Sequence, residues 1–128
     1  MLASYQDNSC ENWAGVSQPG ADLRSAVLAK ADLSTSNLSG GILIDATLVG
    51  ASLANATLVS SQLRYANLDS AIMTSADLSF SNLLGANLSN ANMTSADLSF
   101  AVPHRRHLQQ VHDLPVRRQL RDCAVGIG

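Results

Sequence analysis

Aromatic residues are scarce in this chain: one Trp, two Tyr and two Phe among 128 residues. A core of interlocking rings, common in domains of this size, is thereby excluded. Cysteine is scarce too. Cys10 and Cys123 lie near opposite ends without metal-type spacing, which leaves a disulfide and two ordinary cytosolic thiols as alternatives. The three histidines, His104, His107 and His112, all follow residue 103. The many serines before them therefore have no imidazole base nearby in sequence, which argues against Ser–His chemistry. No apolar run approaches eighteen residues, so no membrane-spanning helix is expected. The first twenty residues lack the basic and apolar regions of a signal peptide. Glycine-rich phosphate loops and zinc-ligand spacings are also missing. A net charge of −2 favours neither nucleic acid nor its exclusion.

What the chain has is a period of five. From Ala21 to Phe100 it reads as sixteen blocks without a slip, beginning ADLRS AVLAK ADLST SNLSG and ending ADLSF SNLLG ANLSN ANMTS ADLSF. The third position is Leu in fourteen blocks and Met at Met73 and Met93; the first is Ala in twelve and otherwise Ser or Gly. The second is Asp or Asn in nine. A helix would smear this repeat around all its sides. A strand would flip Leu to the opposite face in each block. Only a chain that turns a corner in every block keeps Leu inward, with Ser, Gly, Asn and Asp suited to the bends.

Four corners close a square of twenty residues, which accounts for the octapeptide MTSADLSF standing at Met73–Phe80 and again at Met93–Phe100. The two copies are expected to stack in adjacent coils, about 4.8 Å apart. The predicted core is Leu23, Leu28, Leu33, Leu38, Leu43, Leu48, Leu53, Leu58, Leu63, Leu68, Met73, Leu78, Leu83, Leu88, Met93 and Leu98. Second, fourth and fifth positions then face outward. Ile42, Ile44, Val49, Val59, Phe80 and Phe100 form the candidate partner surface, since contiguous apolar exposure marks interaction sites. A covering by the tail or the N-terminal cap is the alternative for Phe80 and Phe100.

The block pattern A-[DN]-L-x-x resembles the pentapeptide-repeat family. That resemblance implies an all-β solenoid, a right-handed quadrilateral β-helix, here with four coils and a short helical C-terminal cap. Residues 1–20 read as an N-terminal cap with Trp13 as its lid, residues 21–100 as the β-helix and residues 101–128 as a basic tail. Five of the eight basic residues lie in that tail (Arg105, Arg106, Arg117, Arg118 and Arg121), where Leu108, Val111, Val116 and Leu120 have helical spacing. A disordered tail is the other reading. His104 and His107 could share a helix face, but a solvated basic segment is favoured over a metal site.

These features describe a non-enzymatic module with no cofactor and no small-molecule substrate. Its expected partner is a protein, and a homodimer through the C-terminal end is a further expectation. Nucleic acid is disfavoured because no aromatic residues are interleaved with the arginines. The resemblance implies either a scaffold or subunit of a photosynthetic or bacterial assembly, or a DNA mimic that binds gyrase. Against the mimic, Asp22, Asp32, Asp45, Asp69, Asp77 and Asp97 are assigned to different sides. As written the chain reads as cytoplasmic, with a plastid or thylakoid-lumen location if a targeting segment has been removed.

Overall fold

A computed structural model describes residues 3–102. The expected helical cap, the His104–His107 pair, the tail arginines and Cys123 lie outside the described residues.

Each second-position residue pairs in parallel with the residue twenty places on, from Asp7 with Val27 to Asn82 with Val102. Four blocks therefore make one coil, and the protein is a square rod. Its first side carries Asp22, Ile42, Gln62, Asn82 and Val102; the second carries Asp7, Val27, Thr47, Asn67 and Asn87. Asn12, Asp32, Ser52, Ile72 and Asn92 mark the third side, and Ser17, Asn37, Thr57, Asp77 and Asp97 the fourth.

Following the backbone N–H groups around one block shows why five residues suffice. Leu23 N–H donates to Ile42 of the next coil and Ser25 N–H to Ile44. Ala26 N–H closes the turn on the Leu23 carbonyl, and Val27 N–H reaches back to Gln6 of the previous coil. The fourth position is the one whose N–H has no place in this scheme. The Asp or Asn two residues earlier accepts it: Asp22 Oδ1 from Arg24 N–H, Asp32 from Ser34, Asn37 from Ser39, Asn92 from Thr94. Short side chains of this kind cap turns by mimicking a backbone acceptor. The preference for Asp or Asn at the second position thus has a local cause.

The turn requires a positive φ at the fifth position, as turns with a left-handed third residue do. Every fifth residue from Tyr5 to Phe100 complies, at 55–74°. Fifteen of these are not glycine. Each such residue sits where a side chain costs about 1–3 kcal/mol, so the stacked hydrogen bonds must hold the corners in place.

Third-position leucines and methionines from Leu23 to Met93 are buried, together with the small first-position residues. Leu98, in the last coil, is partly buried against this core. The coil geometry does not begin at Ala21, as a separate cap over 1–20 would have it. Bridges from Asp7, Asn12 and Ser17 already stack on the second coil, so the rod has one turn more than the expected four coils. Asn8, Trp13 and Gln18 stand at the Leu phase of that first turn, which hid it. Pro19–Gly20 is a corner and not a break. Pro19 falls at the fourth position, where no backbone bond is lost, and Gly20 supplies the positive φ of 72°. Trp13 packs against the core from this first turn.

Candidate interaction surface

Residues twenty apart share a column, so the surface of the rod can be read from the sequence column by column. The corner between the fourth and first sides carries Gly20, Gly40, Ser60, Phe80 and Phe100 at its fifth positions. Its character changes from glycine to aromatic along the axis. Phe80 and Phe100 stack face to face, with ring centroids 4.9 Å apart and planes 12° from parallel. That separation is the coil spacing itself, so the backbone repeat sets the stacking distance.

The corner between the first and second sides carries Tyr65 above Gly85, and Arg24, Ile44, Arg64 and Leu84 at its fourth positions. The Arg64 guanidinium carbon lies 5.6 Å from the Tyr65 ring centroid. Between the two corners runs the first side, which ends at Val102. Among the described residues, the exposed large apolar side chains are Tyr5, Tyr65, Phe80, Leu84, Phe100 and Val102. All border or lie on the first side of the rod, Tyr5 at its start and the other five in its last coils.

The six candidate residues divide against this frame. Phe80 and Phe100 are well exposed, 59% and 78%. Ile42, Ile44, Val49 and Val59 are only half-buried and not open as expected, because coils about 4.8 Å apart flank every outward side chain above and below. Ile44 lies in column between Arg24 and Arg64, whose stems can cover apolar neighbours. Ile42 and Ile44 continue the apolar side toward the N-terminus. Val59 adjoins the phenylalanine corner, and Val49 lies at the diagonally opposite corner. Tyr65 and Val102 were missed by sequence reasoning, although counting in twenties from Gly85, beside Leu84, reaches Tyr65, and from Asn82, two residues after Phe80, reaches Val102.

The electrostatic border is acidic. Asp77 and Asp97 stack on the fourth side, three residues before Phe80 and Phe100. Asp97 accepts the Ser99 hydroxyl at 2.6 Å and the Ser99 N–H at 2.9 Å. The Ser99 hydroxyl bond, then the N–H bond, holds its carboxyl below the usual carboxylate range. On the first side Arg24 grips Asp22 with two bonds of 2.9 and 2.7 Å. No cluster of metal-ligating side chains occurs among the described residues, and they contain no helix long and apolar enough to cross a membrane.

Comparison with known proteins agrees with this geometry. The family model for pentapeptide repeats matches residues 12–40, 42–74 and 71–101, in eight copies. Among solved structures the chain is similar to a pentapeptide repeat protein from the Arabidopsis thaliana thylakoid lumen. Identity is 25% and the TM-score 0.63, over 80% of this chain and 71% of that one. It is also similar to a pentapeptide repeat protein from the cyanobacterium Cyanothece 51142, at 24% identity and a TM-score of 0.65, over 84% and 91% of the two chains. Another such protein, from Nostoc PCC 7120, has 30% identity and a TM-score of 0.45, over 84% and 80%. No curated protein matches the sequence.

Proposed function

We propose, from the premise that this chain belongs to the pentapeptide repeat family, that it is a non-enzymatic rod whose first side binds a protein partner. The observation that carries this reading is the gathering of Tyr65, Phe80, Leu84, Phe100 and Val102 on one side of the last coils. Solvent-exposed rings at a corner contribute nothing to the core, and the other fifth positions of the same corner hold only Gly20, Gly40 and Ser60. Apolar exposure of this kind serves an interface. A scaffold or subunit role in a photosynthetic assembly is the finer form of this reading, and it is compatible with likeness to a pentapeptide repeat protein of the thylakoid lumen. The gyrase-binding alternative draws little support from the charges: Asp22, Asp32, Asp45 and Asp69 stand on different sides or corners and only Asp77 and Asp97 share one, whereas a DNA mimic needs them all along one.

The test is capture from an extract of the source organism with the wild-type chain and with Phe80→Ser/Phe100→Ser. Serine is native to this corner position, at Ser60 for example. A protein retained by the wild type and lost with the variant supports the reading; equal retention by both contradicts it. Inhibition of gyrase supercoiling by the wild-type chain would favour the alternative.

A further inference from the structure

We propose that the apolar end of the first side is the docking site of the chain's own residues 103–128, which compete there with the protein partner. The inference rests on the reading of that side as an interaction surface.

The path of the chain is the first reason. Val102 is the last second-position residue of the first side, bridged to Asn82 and 51% exposed. Residue 103 therefore departs from the patch itself. An extended chain advances about 3.3 Å per residue, and Tyr65 lies two coil spacings from Val102, about 10 Å. A few residues reach the far edge of the patch.

Composition is the second. The twenty-six residues after Val102 include Leu108, Val111, Leu114, Val116 and Leu120, apolar side chains that recur every two to four positions in an otherwise basic segment. Such a segment can lay an apolar face on the strip while its charges stay at the rim.

Charge decides between occupants. Residues 1–102 hold seven Asp and one Glu against Arg24, Lys30 and Arg64, a balance of −5; residues 103–128 hold five Arg against Asp113 and Asp122, a balance of +3. The carboxylates of Asp77 and Asp97 border the phenylalanine corner. The strip is acidic along its phenylalanine margin, while Arg64 stands at the opposite margin; the acidic margin complements a basic apolar segment. Two rods set side by side would instead bring like charges together.

Limited trypsin digestion of the full chain tests this. The tail sites are Arg105, Arg106, Arg117, Arg118 and Arg121, with Arg24, Lys30 and Arg64 as internal controls in the rod. Docking protects the tail, so Phe80→Ser/Phe100→Ser should speed its cleavage about tenfold, since cleavage follows the population of the open form. Rod cleavage should not change. Leu108→Ser/Val111→Ser, which leaves the patch intact, should speed tail cleavage equally and increase partner capture. Equal tail cleavage in the wild type and both variants would overturn the proposal. So would a patch variant that changes only the sedimentation coefficient, which would make a second copy the occupant. Loss of partner capture with unchanged tail cleavage would overturn the docking and leave the interaction reading standing. Faster tail cleavage with unchanged capture would uphold the docking and remove the interaction reading.

Discussion

The Tyr65 ring lies across Gly85 of the next coil: a Cβ at residue 85 would stand 2.5 Å from Tyr65 Cδ1 and 2.6 Å from Cε1. Gly85 also has a φ of +72°, so two demands meet at one position. Gly85→Ala should therefore destabilise the rod by about 1–3 kcal/mol, from the left-handed backbone together with displacement of the ring. Tyr65→Ser should recover the steric part and leave the backbone part. Urea unfolding of the two single variants and the double variant separates them, and additive costs would show that the ring does not press on Gly85.

Ser36, Ser61 and Ser81 occupy first positions at 1%, 0% and 1% exposure, and their hydroxyls have no hydrogen-bond partner. Alanine fills the same position in most blocks. A buried unsatisfied hydroxyl costs about 1–3 kcal/mol, so each Ser→Ala change should stabilise by about 1 kcal/mol at least. Ser61 and Ser81 stack in one column of adjacent coils, so each change is made singly and the Ser61/Ser81 pair is not expected to be additive. A fall in melting temperature for any of them would mean that the hydroxyl is bonded in solution.

Thr35 is a β-branched residue at a φ of 57°, a conformation that such residues rarely adopt. Asn tolerates it far better and stands at the equivalent position of the same column at Asn55. Thr35→Asn should stabilise by about 1 kcal/mol, checked by thermal and urea unfolding.

Acid should weaken the turns before it touches the core. The bond from the Arg24 guanidinium lowers the Asp22 pKa, and the hydroxyls of Ser9 and Ser99 lower those of Asp7 and Asp97. A folded pKa below the unfolded value means that the stabilisation is complete above the unfolded pKa of about 3.9. It is lost as pH falls through the folded value. Stability measured from pH 6 to pH 2 should thus hold and then drop below about pH 4. Asp97→Asn keeps an acceptor for the Ser99 N–H, as Asn37 does for Ser39, and should flatten that drop.

The five-residue period announced the square coil because a block that turns once must place its leucine alike each time. It announced less at the N-terminus, where Asn8, Trp13 and Gln18 replace leucine although the backbone bonds of Asn8 and Trp13 to Val27 and Asp32 are unchanged. Hydrogen bonds and turn residues define that coil, and neither leaves an apolar trace. The candidate surface was half legible. Phe80 and Phe100 stood out as a repeated corner, whereas the partial burial of Ile42 and Ile44 depends on neighbours twenty residues away. Tyr65 became part of the surface only once the sides were assigned.

The central claim, that one side of the rod binds the partner, is tested most directly by placing the same charge on different sides. Asn82, Asn87 and Asn92 are second-position residues of the first, second and third sides, and each accepts the N–H two residues on. Lysine at each removes that bond, worth about 1 kcal/mol; at Asn87 and Asn92 it also removes a side-chain bond, to Asn67 Oδ1 and from the Thr94 hydroxyl, so these two controls lose at least as much stability as Asn82→Lys. The account predicts that Asn82→Lys abolishes capture of the partner while Asn87→Lys and Asn92→Lys retain it. Equal loss in all three, or loss confined to the second or third side, would contradict it.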